Sequence, residues 1–215
     1  TNYDGVYVYD LLAKKIINHI STSQGLSSPE VIDILPLDNG YTWLATASAV
    51  EITNNQTNST RNIILPGSSK VVSLLKADNK IFAATLGDGI YALSVEGELL
   101  AQFGQGLRFS QLVQVNNEVW VTARPGLYKF NPKNYQLSMI ENTERYSFVG
   151  SAVLLNNIVH ASHYAGVLSL DLFTKEQFNP KVFISKTTVS GQSYLLNKTI
   201  EIDSGNDVVT LDLAS

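Results

Sequence analysis

An Asp/Asn turn recurs four times along this 215-residue chain, as Asp38-Asn39-Gly40, Asp78-Asn79, Asn116-Asn117 and Asn156-Asn157. Asn39, Asn79, Asn117 and Asn157 follow one another at steps of 40, 38 and 40 residues. Self-similarity at a fixed period of this size means one supersecondary unit used repeatedly. Asn and Asp tolerate the positive φ that a tight hairpin demands, so each pair reads as the turn of a hairpin.

The turns are embedded in a common frame. Before each lies an apolar run: Val31-Ile32-Asp33-Ile34-Leu35, Val71-Val72-Ser73-Leu74-Leu75, Leu112-Val113-Gln114-Val115 and Ala152-Val153-Leu154-Leu155. After each comes a second: Trp43-Leu44-Ala45-Thr46, Phe82-Ala83-Ala84-Thr85, Trp120-Val121-Thr122 and His160-Ala161-Ser162. A small residue then leads into a third run, as in Gly89-Ile90-Tyr91-Ala92-Leu93 and Gly126-Leu127-Tyr128-Lys129-Phe130. A weaker fourth closes each unit, as in Asn62-Ile63-Ile64-Leu65 and Leu99-Leu100-Ala101-Gln102-Phe103. Short β-branched and aromatic runs bounded by Gly, Asn, Asp and Pro are strands, and nothing here carries a helical period. Four strands in about 40 residues is one β-propeller blade. The second runs are apolar nearly throughout, which predicts inner strands packed between neighbouring blades.

The N-terminal Gly5–Asp10 and Lys15–Asn18 match the third and fourth runs of a unit, so the chain reads as about 4.5 blades over residues 1–178. The last unit carries its own strands and leaves none over to complete the half blade, which predicts further upstream blades beyond this sequence. Asn179-Pro180 breaks the pattern. The alternating strands that follow, around 182–189, Thr199–Ile202 and Val208–Leu213, predict the first strands of an Ig-like β-sandwich over 179–215. The fold class is all-β.

Composition narrows the function. Charged residues are only 16% of the chain, against about 25% in an average domain, and the net charge is −4 with no basic stretch. A nucleic-acid surface is therefore not expected. With no cysteine, thiolate metal sites and thiol nucleophiles are excluded. His160 and His163 are three residues apart, whereas a strand presents i and i+2 on one face, so no metal is expected. No G-x-S-x-G, H-E-x-x-H or P-loop occurs. The segment is expected to be non-catalytic and without a cofactor.

Candidate binding residues come from their place in the repeat. Arg124, His163 and Tyr164 fall between second and third strands, as do Gly87-Asp88, and Arg108 with Phe109 precedes a first strand. Connections between second and third strands lie on one face of a propeller and those ahead of a first strand reach its channel, and polar and aromatic groups there over a rigid scaffold make a ligand site. The competing reading of the same residues is ordinary loop surface. His160 aligns with Trp43, Phe82 and Trp120 and is expected to pack with a satisfied hydrogen bond. His19 is expected to face solvent.

Asp38-Asn39-Gly40-Tyr41-Thr42-Trp43-Leu44-Ala45-Thr46 and Gly126-Leu127-Tyr128-Lys129-Phe130-Asn131 resemble the two-component regulator propeller repeat. Ala45 and Ala84 stand where that family has Gly. Val189-Ser190-Gly191 and the strand pair Ile200–Ile202 and Val208–Leu211 are similar to the start of the β-sandwich, named for three tyrosines, that follows such propellers. The resemblance implies an extracytoplasmic, periplasmic sensor of a bacterial inner-membrane receptor, with a histidine kinase, a diguanylate cyclase or a DNA-binding domain as output. It implies a small-molecule ligand, with carbohydrate fragments common in the family, and a homodimer as the arrangement of the full receptor. The alternatives are a protein-interaction platform and a propeller lyase or glycosidase. The inner strands carry no clear carboxylate pair, which counts against the last.

Overall fold

The computed structural model describes residues 3–172, 183–194 and 208–214. It forms two compact units, Thr1–Phe173 and Thr174–Ser215. The expected boundary at 178/179 lies outside the described residues.

The first unit is a series of antiparallel meanders. A two-stranded sheet pairs β1 (Val6–Asp10) with β2 (Lys15–Ile20). The second blade is β3 (Val31–Pro36), β4 (Tyr41–Thr46), β5 (Val50–Asn54) and β6 (Thr60–Ile63). The third is β7 (Val71–Ala77), β8 (Lys80–Thr85), β9 (Ile90–Ser94) and β10 (Leu99–Phe103). The fourth is β11 (Arg108–Val115), β12 (Glu118–Arg124), β13 (Leu127–Phe130) and β14 (Leu137–Met139). The fifth is described through β15 (Phe148–Leu155), β16 (Ile158–His163) and β17 (Gly166–Asp171). The run expected to complete it lies outside the described residues.

The hairpins close where the Asn and Asp pairs predict. Asp78 and Asn79 sit at φ 47° and 55°, and Asn156 and Asn157 at 50° and 63°. Positive φ at both central residues gives the hairpin the twist of its flanking strands.

The blades stack on one another through their first strands, with β3 against β7, β7 against β11 and β11 against β15. The first strands are therefore innermost. This corrects the sequence expectation that the second runs, and His160 with them, hold that position. The second strands instead lie inside each sheet, and those of the second, third and fourth blades are covered on both faces, which is the reason they are apolar nearly throughout. Trp43 and Ala45 pack toward the third blade, while Leu44 points back toward the first sheet. Phe82 and Ala84 pack toward the fourth blade, while Ile81 and Ala83 face the second. Trp120 reaches the fifth blade and Val119 and Val121 the third. Each such side chain contributes about 1.5–3 kcal/mol by leaving water. His160 is half-buried, with Nδ1 2.8 Å from Ser169 Oγ, which agrees with a hydrogen-bonded packing residue. His19 does not face solvent freely: it is half-buried and stacked on Tyr7 with ring centroids 4.1 Å apart.

Every first strand is irregular at the same place. The register slips between Val31 and Asp33, Val71 and Ser73, Phe109 and Gln111, and Phe148 and Ala152. A bulge here bends the inner strand and re-aims the side chains at its start. Just past it, Asp33 Oδ2 accepts from the backbone N–H of Leu74 at 2.7 Å, and Ser73 Oγ from that of Leu112 at 3.2 Å. A side chain at one repeat position thus ties the second blade to the third and the third to the fourth.

The second unit contributes β18 (Phe183–Val189), β19 (Gln192–Tyr194) and β20 (Val209–Ala214), in the order β19-β18-β20 and antiparallel throughout. The expected strand at Thr199–Ile202 lies outside the described residues. No helix among the described residues is long and apolar enough to cross a membrane.

Candidate functional site

Four of the expected site residues meet on one rim of the fourth and fifth blades. Arg108 opens β11 and Arg124 ends β12, and the two are directly opposite one another across the strand pair. Their neighbours Phe109 and Ala123 pack toward the third blade. Since alternate residues of a strand point to opposite faces, Arg108 and Arg124 are turned to the fifth. Arg124 Nε donates to the Phe148 carbonyl there at 3.4 Å. The Arg124 guanidinium carbon lies 5.1 Å from the centroid of the Tyr164 ring, a cation–π distance. His163 pairs with Phe148 across β15 and β16, and its ring lies 4.8 Å from that of Tyr146. Arg145 in turn stands 5.1 Å over Tyr146.

The sequence places these groups in loops, and the structure corrects that. Arg108, Arg124 and His163 are terminal residues of strands, and only Tyr164 lies in the turn that follows. The strands are longer than their apolar runs because ladder pairing continues through the charged residues. Strand ends hold side chains more firmly than loop tips, which suits a recognition surface. Gly87-Asp88 does lie in a loop, but Asp88 is occupied with structure: its Oδ2 accepts from Ser69 N–H at 2.6 Å.

Arg145, Tyr146 and Phe148 escaped the sequence reading. A signal for them exists, because Arg145-Tyr146 repeats the Arg-aromatic pair of Arg108-Phe109 ahead of the next first strand.

Charge sets this rim apart. Three of the four arginines of the chain are here. None forms a salt bridge among the described residues, although Glu144 is the chain neighbour of Arg145. The Arg108 side chain makes no hydrogen bond to any described residue either. Like charges directly opposite in a sheet are destabilising. Arg108, Arg124 and Arg145 are all exposed, and Tyr164 is 70% exposed even with a guanidinium over its ring.

Two other clefts compare poorly. One on the second and third blades, beside Thr46, Ser48 and Lys70, has a volume of about 240 Å³, below the ~300 Å³ at which small-molecule pockets begin, and Lys70 is held by Glu30 at 2.6 Å. A broader one of about 780 Å³ lies near Glu118, Trp120, Lys129 and Met139. Its lysine is already paired with Glu118 at 3.1 Å.

The blade architecture is shared with solved structures. Two crystal structures of the extracellular domain of one system from B. thetaiotaomicron match the chain. The first, described as a putative one-component system, gives a TM-score of 0.70 at 16% identity and covers 91% of this chain and 29% of its own. The second, described as a putative hybrid two-component system, gives 0.68 at 16% identity, covering 89% and 28%. Sqt1 of Saccharomyces cerevisiae matches with a TM-score of 0.64 at 12% identity, covering 77% of this chain and 52% of its own. The fold is a β-propeller fold. The chain spans less than a third of the length of the two bacterial structures. No family model matches the chain, and no curated protein does. A bacterial extracellular domain and a yeast protein share these blades, so the likeness speaks for the fold alone.

Proposed function

We propose that this chain is part of the extracytoplasmic, ligand-sensing propeller of a bacterial membrane-bound signalling receptor. One observation carries the reading: 91% of the chain superposes on part of an extracellular domain described as belonging to a putative one-component system. The rim built from Arg108, Arg124, His163 and Tyr164 is the binding surface in this reading, and its ligand is a small molecule of the saccharide class. The segment performs no catalysis. It lies in the periplasm, and a kinase or cyclase belongs to another part of the polypeptide. Signalling is a shift between two receptor arrangements, and a ligand drives it only as far as its affinities for the two differ.

The test is made on the whole receptor gene and its product. The expected result is a membrane-spanning helix and a kinase or cyclase domain in the same polypeptide, with output that changes when oligosaccharide is added outside the membrane. A polypeptide with neither helix nor output domain overturns the reading. Output that responds to a protein partner and to no saccharide makes the chain an interaction platform instead.

A further inference from the structure

The chemistry of the rim selects among ligands of that class. We propose that the fourth- and fifth-blade rim binds an anionic saccharide, whose carboxylate or sulfate group bridges Arg108 and Arg124 while a sugar ring lies against Tyr164. The inference rests on the sensing reading above and narrows it.

Three observations support it. Arg108 and Arg124 are opposite partners at the mouth of one hairpin, so their guanidinium groups project side by side from neighbouring strands. Cross-strand partners have Cβ atoms about 4.5–5.5 Å apart, a spacing that lets one planar anion accept from both. Guanidinium groups suit this role because their fixed N–H forks match the oxygens of carboxylates and sulfates. Second, no carboxylate among the described residues neutralises the pair, since neither Arg108 nor Arg124 is in a salt bridge there. The repulsion of the pair is relieved by an anion from outside. Third, Arg124 is not free to swing away. Its Nε is tethered to the Phe148 carbonyl and its guanidinium is held over Tyr164, so the charge is placed before a ligand arrives.

The aromatic groups favour a saccharide over a simple anion or an acidic peptide. Tyr164 is 70% exposed and offers a flat surface beside the cation, and Tyr146 and His163 extend it toward Arg145. Rings with an apolar body and a polar edge suit the alternating C–H and hydroxyl faces of a pyranose. Arg145 at the far end provides a second cation for a second acidic residue along an oligomer.

The experiment measures binding by calorimetry with the purified 215-residue chain. The probes are a tetragalacturonate, a sulfated disaccharide, a neutral cellotetraose, sodium sulfate and a hexaglutamate peptide. At least one of the two anionic saccharides is expected to bind, more weakly as salt rises, and cellotetraose to bind at least about 10-fold more weakly. Arg108→Ala and Arg124→Ala are each expected to lose about 10-fold or more, the scale of one charge-assisted hydrogen bond. Arg124→Lys keeps the charge without the fork and recovers part of the loss. Tyr164→Ala weakens the saccharide without weakening sulfate. Unchanged circular dichroism and melting temperature in each variant show that the fold is intact.

Equal binding of cellotetraose, or anion binding indifferent to both arginine variants, overturns the inference and leaves the sensing reading standing. Hexaglutamate binding as tightly as the saccharides overturns it in favour of an acidic peptide. Binding of no saccharide at all also overturns it, and the sensing reading is then decided by the output domains of the receptor gene.

Discussion

The carboxylate of Asp33 accepts a hydrogen bond from the backbone N–H of Leu74 at 2.7 Å, across the boundary between the second and third blades. Its other oxygen accepts from Ile34 N–H at 2.9 Å. Asp33 sits directly after the bulge of its strand, and Ser73 makes the corresponding bond to Leu112 from the next blade. The bulge frees this side chain to leave its own sheet and satisfy the neighbour. Removing it strands an amide between blades. Asp33→Ala is expected to destabilise the first unit by about 1–3 kcal/mol, and Asp33→Asn, which keeps an acceptor, by less. Urea denaturation followed by circular dichroism reads the difference as a shift of the midpoint at constant slope.

Glu51 is fully buried, an unusual place for a carboxylate. Its Oε1 accepts from Ser27 N–H at 2.9 Å and from the hydroxyls of Ser27 and Thr46, while Oε2 has no hydrogen-bond partner among the described residues. Its role is to hold the segment entering the second blade. Glu51→Ala leaves the Ser27 amide unsatisfied and is expected to cost about 1–3 kcal/mol. Glu51→Gln retains the carbonyl oxygen and is expected to keep that segment protected from amide hydrogen exchange. Equal loss of protection at Ser27 in both variants would show that the charge, not the acceptor, matters.

Gly89 adopts φ +84°, and a Cβ built on it would stand 2.2 Å from the Phe103 carbonyl oxygen. The obstacle is backbone in the adjacent strand, so no side-chain movement relieves it. Gly89→Ala is expected to destabilise by more than the ~1–3 kcal/mol of backbone strain alone, with a lowered melting temperature. Gly106→Ala makes the control: its φ is +82° but nothing lies within 4 Å of the added Cβ, so it shows the cost of the dihedral without the clash.

Tyr91 and Tyr128 hold their phenols above the usual tyrosine range. Burial is the larger cause for Tyr91, with the nearby Asp88 charge adding to it, and burial alone acts on Tyr128. A raised value in the folded state means that the folded protein keeps protons the unfolded chain releases. Stability from these groups is therefore complete below about pH 10 and falls as pH rises through the folded values. Urea midpoints measured from pH 8 to 11 are expected to decline at the alkaline end. Tyr91→Phe with Tyr128→Phe should flatten that decline, and an unchanged slope in the double variant would refute the assignment.

Much of the blade framework was legible in the sequence. The hairpins at Asp78-Asn79 and Asn156-Asn157 form where a local φ preference requires them. The strand Leu99–Phe103 has the bounds its residues suggest. The candidate site was half legible. Arg108, Arg124, His163 and Tyr164 can be found by their place in the repeat, yet the sequence suggests connections for all four and only Tyr164 lies in one. A charged residue at the end of an apolar run carries no strand pattern, and only its ladder partner reveals that pairing continues.

The sequence by itself determined the all-β class, the number of hairpins and the turns that close them, because these depend on φ preferences and on apolar spacing within a few residues. The tertiary structure alone decided which strand is innermost, that Arg108 faces Arg124, and that Arg124 lies over Tyr164. Those relations follow from register and from the stacking of one blade on the next. Both are set by interlocking side chains such as Phe82, Trp120 and Phe148, which are distant along the chain and adjacent only once the sheets have packed.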